Sequence, residues 1–194
     1  MKKTIITLII LLISNLTFAC SCEWSGNFLR VAKYSGLIVK AKVIEHIYHT
    51  ENGKRFTDQN EFIKEQIDNE FDPHYGTGES IKIEILEIIK GTVKRKIVEI
   101  FGTDGADCRA SVRGFKKGNI YIMSIYKPNR TQYKLPNETK DDFAIDACSE
   151  NWLEFIPETN QVYGMIKGKS YRRKNRKWDY EKLKKKITKA QHRI

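Results

Sequence analysis

Three observations predict a mainly β fold, a five- to six-stranded Greek-key barrel of the OB type with a C-terminal α-helix. Short β-branched runs recur along the chain, several of them alternating apolar with polar residues. Gly- and Asn-bearing turns such as Gly91-Thr92 and Lys117-Gly118-Asn119 separate them. A stripe with 3–4 spacing arrives late, at Tyr180, Leu183, Ile187 and Ala190, with lysines on the other faces.

The first nineteen residues read as an export signal. Lys2 and Lys3 precede an apolar stretch from Ile5 to Phe18, and Thr17 and Ala19 are small enough for a cleavage site. The stretch is short for a membrane span, which takes ~20 residues. Cleavage after Ala19 makes Cys20 the first residue of a secreted or periplasmic protein. Its free amine and carbonyl could then act together as a metal chelate. A lipid-anchored Cys20 is the alternative, although Thr17 and Phe18 suit a lipoprotein signal poorly.

The remaining chain is long enough for one cored domain. Its four cysteines, Cys20, Cys22, Cys108 and Cys148, favour disulfides in an exported chain. Three pairings exist, and Cys20 with Cys22 is the least favourable because one intervening residue strains the ring. A zinc site ranks lower, since no paired C-x₂-C spacing is present. The formal charge is +11. Residues 165–194 alone hold thirteen Lys or Arg against Asp179 and Glu181, so the tail accounts for the whole excess.

Each element follows from its residues. Phe28 to Tyr34 is a short helix or an irregular lead-in. Leu37 to about Tyr48 is a β-branched strand. Thr50 to Gly78 is polar and acidic and lacks EF-hand spacing; Phe56, Phe62, Ile67 and Phe71 offer partial packing as a short helix, but a solvated, mobile loop is the preferred reading. Ser80 to Ile89 alternates as a strand, and Lys96 to Phe101, Ile120 to Tyr126, Phe143 to Ile145 and Val162 to Ile166 follow. Asp179 to Gln191 is a helix that Asp179 can cap.

Four features in order carry a family resemblance. Cys20-Ser21-Cys22 stands at the mature N-terminus. Ser35 to Val43 is like a first strand, and Ile81 to Gly91 is like a second that ends in a Lys-Gly turn. Cys108, then Lys117 to Ile122, then Cys148 and Trp152 are like the closing stretch. Over residues 20–155 the chain resembles the N-terminal domain of tissue inhibitors of metalloproteinases, in the netrin-like OB-fold group. Residues 156–194 would be a strand and a basic helix packed on or appended to that barrel. The family's third disulfide and its second, cysteine-rich subdomain have no counterpart here.

The resemblance implies the disulfides Cys20–Cys108 and Cys22–Cys148, each worth about 4–5 kcal/mol by chain entropy. It also implies a partner, a zinc metalloendopeptidase. The Cys20 amine and carbonyl would chelate the protease zinc and displace its water, with Cys22 holding the segment and Ser21 entering the S1′ pocket. The alternative is a non-inhibitory binding module whose basic tail docks on an anionic glycan or membrane surface. Arg172, Arg173, Lys174, Arg176, Lys177, Lys184 and Lys185 are the candidate contacts.

The chain is expected to be a monomer and not an enzyme, with no cofactor, no intrinsic metal and no nucleic-acid partner. Gly-x-Ser-x-Gly, His-Glu-x-x-His and phosphate-loop patterns do not occur. His46 and His49 read as surface residues on opposite sides of a strand. Asn129-Arg130-Thr131 and Asn137-Glu138-Thr139 match the glycosylation sequon.

Overall fold

The computed structural model describes residues 24–69, 78–103, 107–129, 134–168 and 174–191. Helix α1 (Phe28–Tyr34) leads into β1 (Leu37–His49) and β2 (Arg55–Phe56). Helix α2 (Gln59–Asp68) precedes β3 (Gly78–Lys90), β4 (Ile97–Phe101), β5 (Ile120–Ile125) and β6 (Phe143–Ala144). Then come β7 (Trp152–Ile156), a 3₁₀ turn (Pro157–Thr159), β8 (Gln161–Gly164), β9 (Arg176–Asp179) and α3 (Tyr180–Gln191). The fold is mainly β, a strongly curled half-barrel with a C-terminal helix. One sheet runs in the order β6-β4-β3-β1-β5-β7-β8-β9, with β2 paired to β1.

The curl originates in the two long strands. β1 and β3 pair antiparallel over almost their full length, with register shifts at Ile38/Val39, Lys40/Ala41 and Val43/Glu45. Such irregularities bend a strand and sharpen its twist. β5 then returns to the free side of β1. β6 lies parallel to β4. Its Ala144 exchanges both backbone hydrogen bonds with Tyr126, just past β5, at 3.0 and 2.9 Å. Two residues of β6 therefore tie the far edge of the curled sheet to the end of β5.

Two cores result. Inside the curl, Val39, Ala41, Val43, Ile81, Ile83, Ile100 and Met123 are buried on alternating strand positions. On the outer face, Ile38 and Ile122 are also fully buried. Helices α1 and α3 cover them with Phe28, Ala32, Tyr180, Leu183 and Ile187, and β7 and β8 add Leu153, Phe155 and Val162. Tyr180, Leu183 and Ile187 of the apolar stripe expected on the last helix are the residues that pack here. Asp179 caps that helix by accepting from the Lys182 amide at 2.8 Å.

A polar knot holds α3 in place. The Tyr180 hydroxyl donates to Glu87 at 2.8 Å, and Lys184 donates to the same carboxylate at 2.9 Å. Lys40 sits over the Phe155 ring at 3.5 Å and the Tyr180 ring at 4.6 Å. Burial, and then the bond to Glu87, pushes the Tyr180 phenol well above its ordinary pKa.

Among the described residues the sheet holds nine strands, not five or six. β2 and β6 are two residues long, too short for alternation to show. In β7, Trp152 and Ile156 are apolar on the face opposite Leu153 and Phe155, which blurs the period. β9 is an edge strand exposed except at Trp178, so its sequence looks like basic tail. β7 crosses from 155 to 156, and β8 and β9 continue the same sheet. The acidic segment 50–78 is also not all loop. Asp58 accepts from the Asn60 and Glu61 amides at 2.8 and 3.0 Å and starts α2, whose Phe62 stacks on Tyr48.

Leu183→Ala is expected to destabilise the protein by about 3 kcal/mol, since it leaves a cavity in the outer core. Lys186→Ala should stay within about 0.5 kcal/mol. Urea unfolding of both variants checks this.

Candidate functional site

The candidate site is where the N-terminal segment meets two cysteine loops. Cys20, Ser21 and Cys22 lie outside the described residues. The chain is followed from Trp24, and five hydrogen bonds hold what comes next. The Ser25 amide donates to the Cys148 carbonyl at 2.9 Å, and the Glu150 amide donates to the Gly26 carbonyl at 3.0 Å. The Phe28 and Leu29 amides donate to Met165 and Ile166, each at 3.1 Å. The Asn27 side chain donates to the Gly168 carbonyl at 2.8 Å. The segment is thus fixed to the Cys148 loop on one side and to the chain after β8 on the other.

The two cysteine loops are themselves joined. Arg109 and Asp146 form an antiparallel bridge. The Ala147 amide donates to the Cys108 carbonyl at 2.9 Å, and the Ala110 amide donates to the Ile145 carbonyl at 2.7 Å. Asp146 shapes its own loop by accepting from the Cys148 amide at 3.0 Å and the Ser149 hydroxyl at 3.1 Å. Both Cys108 and Cys148 are disulfide-bonded, and neither is a free thiol. Their expected partners, Cys20 and Cys22, lie outside the described residues.

Beneath these loops is an ion-pair cluster that the sequence did not announce. Arg109 is 4% exposed and contacts Asp107 at 2.6 Å and Glu138 at 3.0 Å, the latter fully buried. Glu138 also accepts from the Leu135 amide at 3.1 Å. A buried charge needs such a partner, because losing one side strands the other away from water. The cluster fixes loop 134–138 against the Cys108 loop. Arg109 and Glu138 are 29 positions apart, and no pattern in the chain links them.

A second buried network corrects the surface reading of His49, which is fully buried. Strand β1 carries it under loop 134–138 and against Phe101, with ring centroids 5.0 Å apart. The Asn137 amide donates to His49 Nδ1 at 3.1 Å. That leaves the hydrogen on Nε2, which faces Ser80 Oγ at 2.8 Å. Ser80 in turn donates to Glu99 at 2.5 Å. A Ser, a His and a Glu therefore meet, but in the wrong polarity for a nucleophile. The Ser80 proton is committed to Glu99, and Ser80 is fully buried. His46 goes elsewhere, to the Phe115 carbonyl at 2.5 Å. His74 and His192 lie outside the described residues. Among the described residues no group of three metal-ligating side chains comes together.

The same network occupies one sequon. The Asn137 amide nitrogen bonds to His49 and to the Gly53 carbonyl at 3.0 Å. Asn129 of the other sequon is exposed.

The basic tail divides by role. Arg172 and Arg173 lie outside the described residues. Lys174, Arg176, Lys177 and Lys185 are exposed. Lys184 is not free for a ligand, because it bonds Glu87 and Glu181 at 2.9 and 3.0 Å. The Trp178 ring has Lys182 at 4.9 Å and Lys167 at 5.5 Å.

No family model matches this chain, and no curated protein matches it. The functional reading therefore rests on the residues and their geometry.

Burial raises the Glu99 pKa, but bonds from His49, Ser80 and Arg55 and the Arg55 charge outweigh it and hold the carboxyl at about 2. A depressed carboxyl contributes stability that is present above its unfolded value, ~4.3, and is lost as pH falls toward 2. The shift corresponds to about 3 kcal/mol. The wild type should lose that stability between about pH 5 and 2, and Glu99→Gln should show a flatter profile there. Thermal unfolding followed against pH checks it.

Proposed function

We propose that this protein is an exported, netrin-like OB-fold barrel of the TIMP type that inhibits a zinc metalloendopeptidase. The spatial order β5-β1-β3-β4 supports the fold reading. Three successive strands are followed by a fourth that returns beside the first, which is the Greek-key order. With β6 they make the five strands of a partly open OB barrel, and β7 to β9 extend its sheet.

One observation carries the functional reading. From Ser25, three residues after Cys22, the chain is hydrogen-bonded to the Cys148 loop, which is bonded to the Cys108 loop, and both described cysteines are in disulfides. Disulfides Cys20–Cys108 and Cys22–Cys148 would complete a clamp on the first residue. A chelating amine and carbonyl gain from such fixation, because their ordering is complete before the protease arrives.

The chemistry follows from the amine. It must be neutral to coordinate zinc, and an α-amino group titrates near ~7.7–8.0. A useful fraction is neutral at physiological pH, and the metal draws out more. The amine and carbonyl would replace the attacking water on the protease zinc. Ser21, small and polar, would enter the adjacent specificity pocket with little selectivity.

A second reading, a non-inhibitory module docking on anionic surfaces, is favoured by the outward face of α3. There Lys182, Lys185, Lys186 and Lys189 are exposed. Deleting the tail cannot test it, because Leu183 and Ile187 belong to the outer core. Replacing Lys185, Lys186 and Lys189 by Gln leaves that core intact. It should abolish association with anionic vesicles or heparin if this reading holds.

The inhibitor reading is tested with oxidised protein whose first residue is Cys20, against a panel of zinc endopeptidases. Inhibition should strengthen as pH rises through the amine pKa. One extra residue ahead of Cys20 should weaken it by on the order of a hundredfold or more, since several kcal/mol of zinc coordination is lost. If the panel is untouched at micromolar protein, or the extended form inhibits equally well, the reading fails.

A further inference from the structure

A cleft of about 690 Å3 opens at the end of the barrel where β1 begins and β5 ends. It shares no residue with the cysteine loops. Its size falls within the ~300–1,000 Å3 of small-molecule sites. One wall is the β3–β4 turn, fixed by its backbone. Gly91 has φ +82, and a Cβ there would lie 2.2 Å from the Gly36 carbonyl oxygen. The turn can approach β1 this closely only as glycine.

The floor and the rim differ in character. Val93, partly exposed, and the edges of Leu37 and Phe143 give an apolar floor over the buried Val98 and Ile125. Among the described residues, Lys94, Arg95 and Lys127 stand at the rim against one lining carboxylate, Asp141. Arg95 reaches Asp141 at 2.5 Å, and Lys127 is 3.9 Å from it. One acid shared by two cations, with Lys94 in addition, leaves the rim positive. Lys127 also stands 5.6 Å from the Phe143 ring centre, so charge and apolar floor meet at one place.

We propose that this cleft binds a small organic carboxylate with an apolar body, an aryl or short acyl acid. The body lies on Val93 and the exposed edges of Leu37 and Phe143, and the carboxylate meets Lys94 and Lys127. This site does not depend on the inhibitor reading.

Gly36 offers a clean way to close it. An added Cβ there meets nothing within 4 Å. Its φ is not among the positive ones, so a side chain is compatible with the backbone. Amide NMR titration of the folded, oxidised protein is the experiment, with 4-phenylbutyrate and its cationic counterpart 4-phenylbutylamine as probes. The acid should give saturable shifts at residues 36–37, 92–95 and 125–127. The amine should bind about tenfold more weakly or worse, and Lys94→Ala with Lys127→Ala should weaken the acid about tenfold. Gly36→Phe should remove the saturable shifts while the rest of the spectrum stays wild-type. The proposal is overturned if no saturable shift occurs up to millimolar acid. It is equally overturned if the amine binds as well, if shifts centre on α3, or if the folded Lys94/Lys127 double variant binds unchanged.

Discussion

The constraint on which the architecture depends is that β1 and β5 are apolar on both faces. Val39 and Met123 point into the curl, while Ile38 and Ile122 point out of it, and all four are fully buried. A strand buried on both faces needs a second layer. Helices α1 and α3 supply it, one from each end of the chain, and they pack on each other as well as on the sheet. The basic tail is therefore part of the fold before it is anything else. Its lysines face outward because its apolar stripe is needed inward.

Charge is handled differently on the two sides of the molecule. Beside α3, Glu87 of β3 gathers Tyr180 and Lys184, and Lys40 of β1 finds two aromatic faces in place of a carboxylate. These contacts are partly solvated, and each adds modestly. Under the cysteine loops, Arg109 and Glu138 are deeply buried, so their worth lies in fixing where two loops meet. The His49–Ser80–Glu99 chain does the same for the far ends of β1, β3 and β4. Both networks include loop 134–138, through Glu138 and Asn137. That loop lacks regular structure of its own, yet it has two independent polar anchors.

Much of the curled sheet was legible in the sequence, and the reason is period. The long strands β1 and β3 and the stripe on α3 repeat often enough to declare themselves. β2 and β6 are too short to repeat. β9 lies at an edge with little to bury, so its residues carry no inward signature. Helix α2 was legible as an option in Phe56, Phe62 and Ile67, but its acidity favoured a loop, although Asp58 three residues before Glu61 is a helix-start pattern. The cysteines pointed to the loops that meet at Cys108 and Cys148, because covalent constraints leave a compositional mark. Arg109, Glu138 and His49 left none. Their partners are distant in sequence, and a polar residue in a loop looks exposed until the fold covers it.

The N-terminal segment draws these threads together. A chelating first residue is useful only if its position is set by something more rigid than its own short chain. Residues 25–29 take hydrogen bonds from two directions, from the Cys148 loop and from residues 165–168. The first of these rests on the Arg109 cluster. The second continues from Ile166, which is buried with Phe28 and Leu183 in the outer core. Two separate stretches of chain thus fix one segment. Ordering it costs roughly 1–2 kcal/mol of backbone entropy per residue, and five backbone and side-chain bonds with a buried Phe28 can offset that before any target binds. A segment prepared in this way can commit its remaining interactions to a partner, which is why the strongest functional reading lies at this end of the molecule and not on the basic helix.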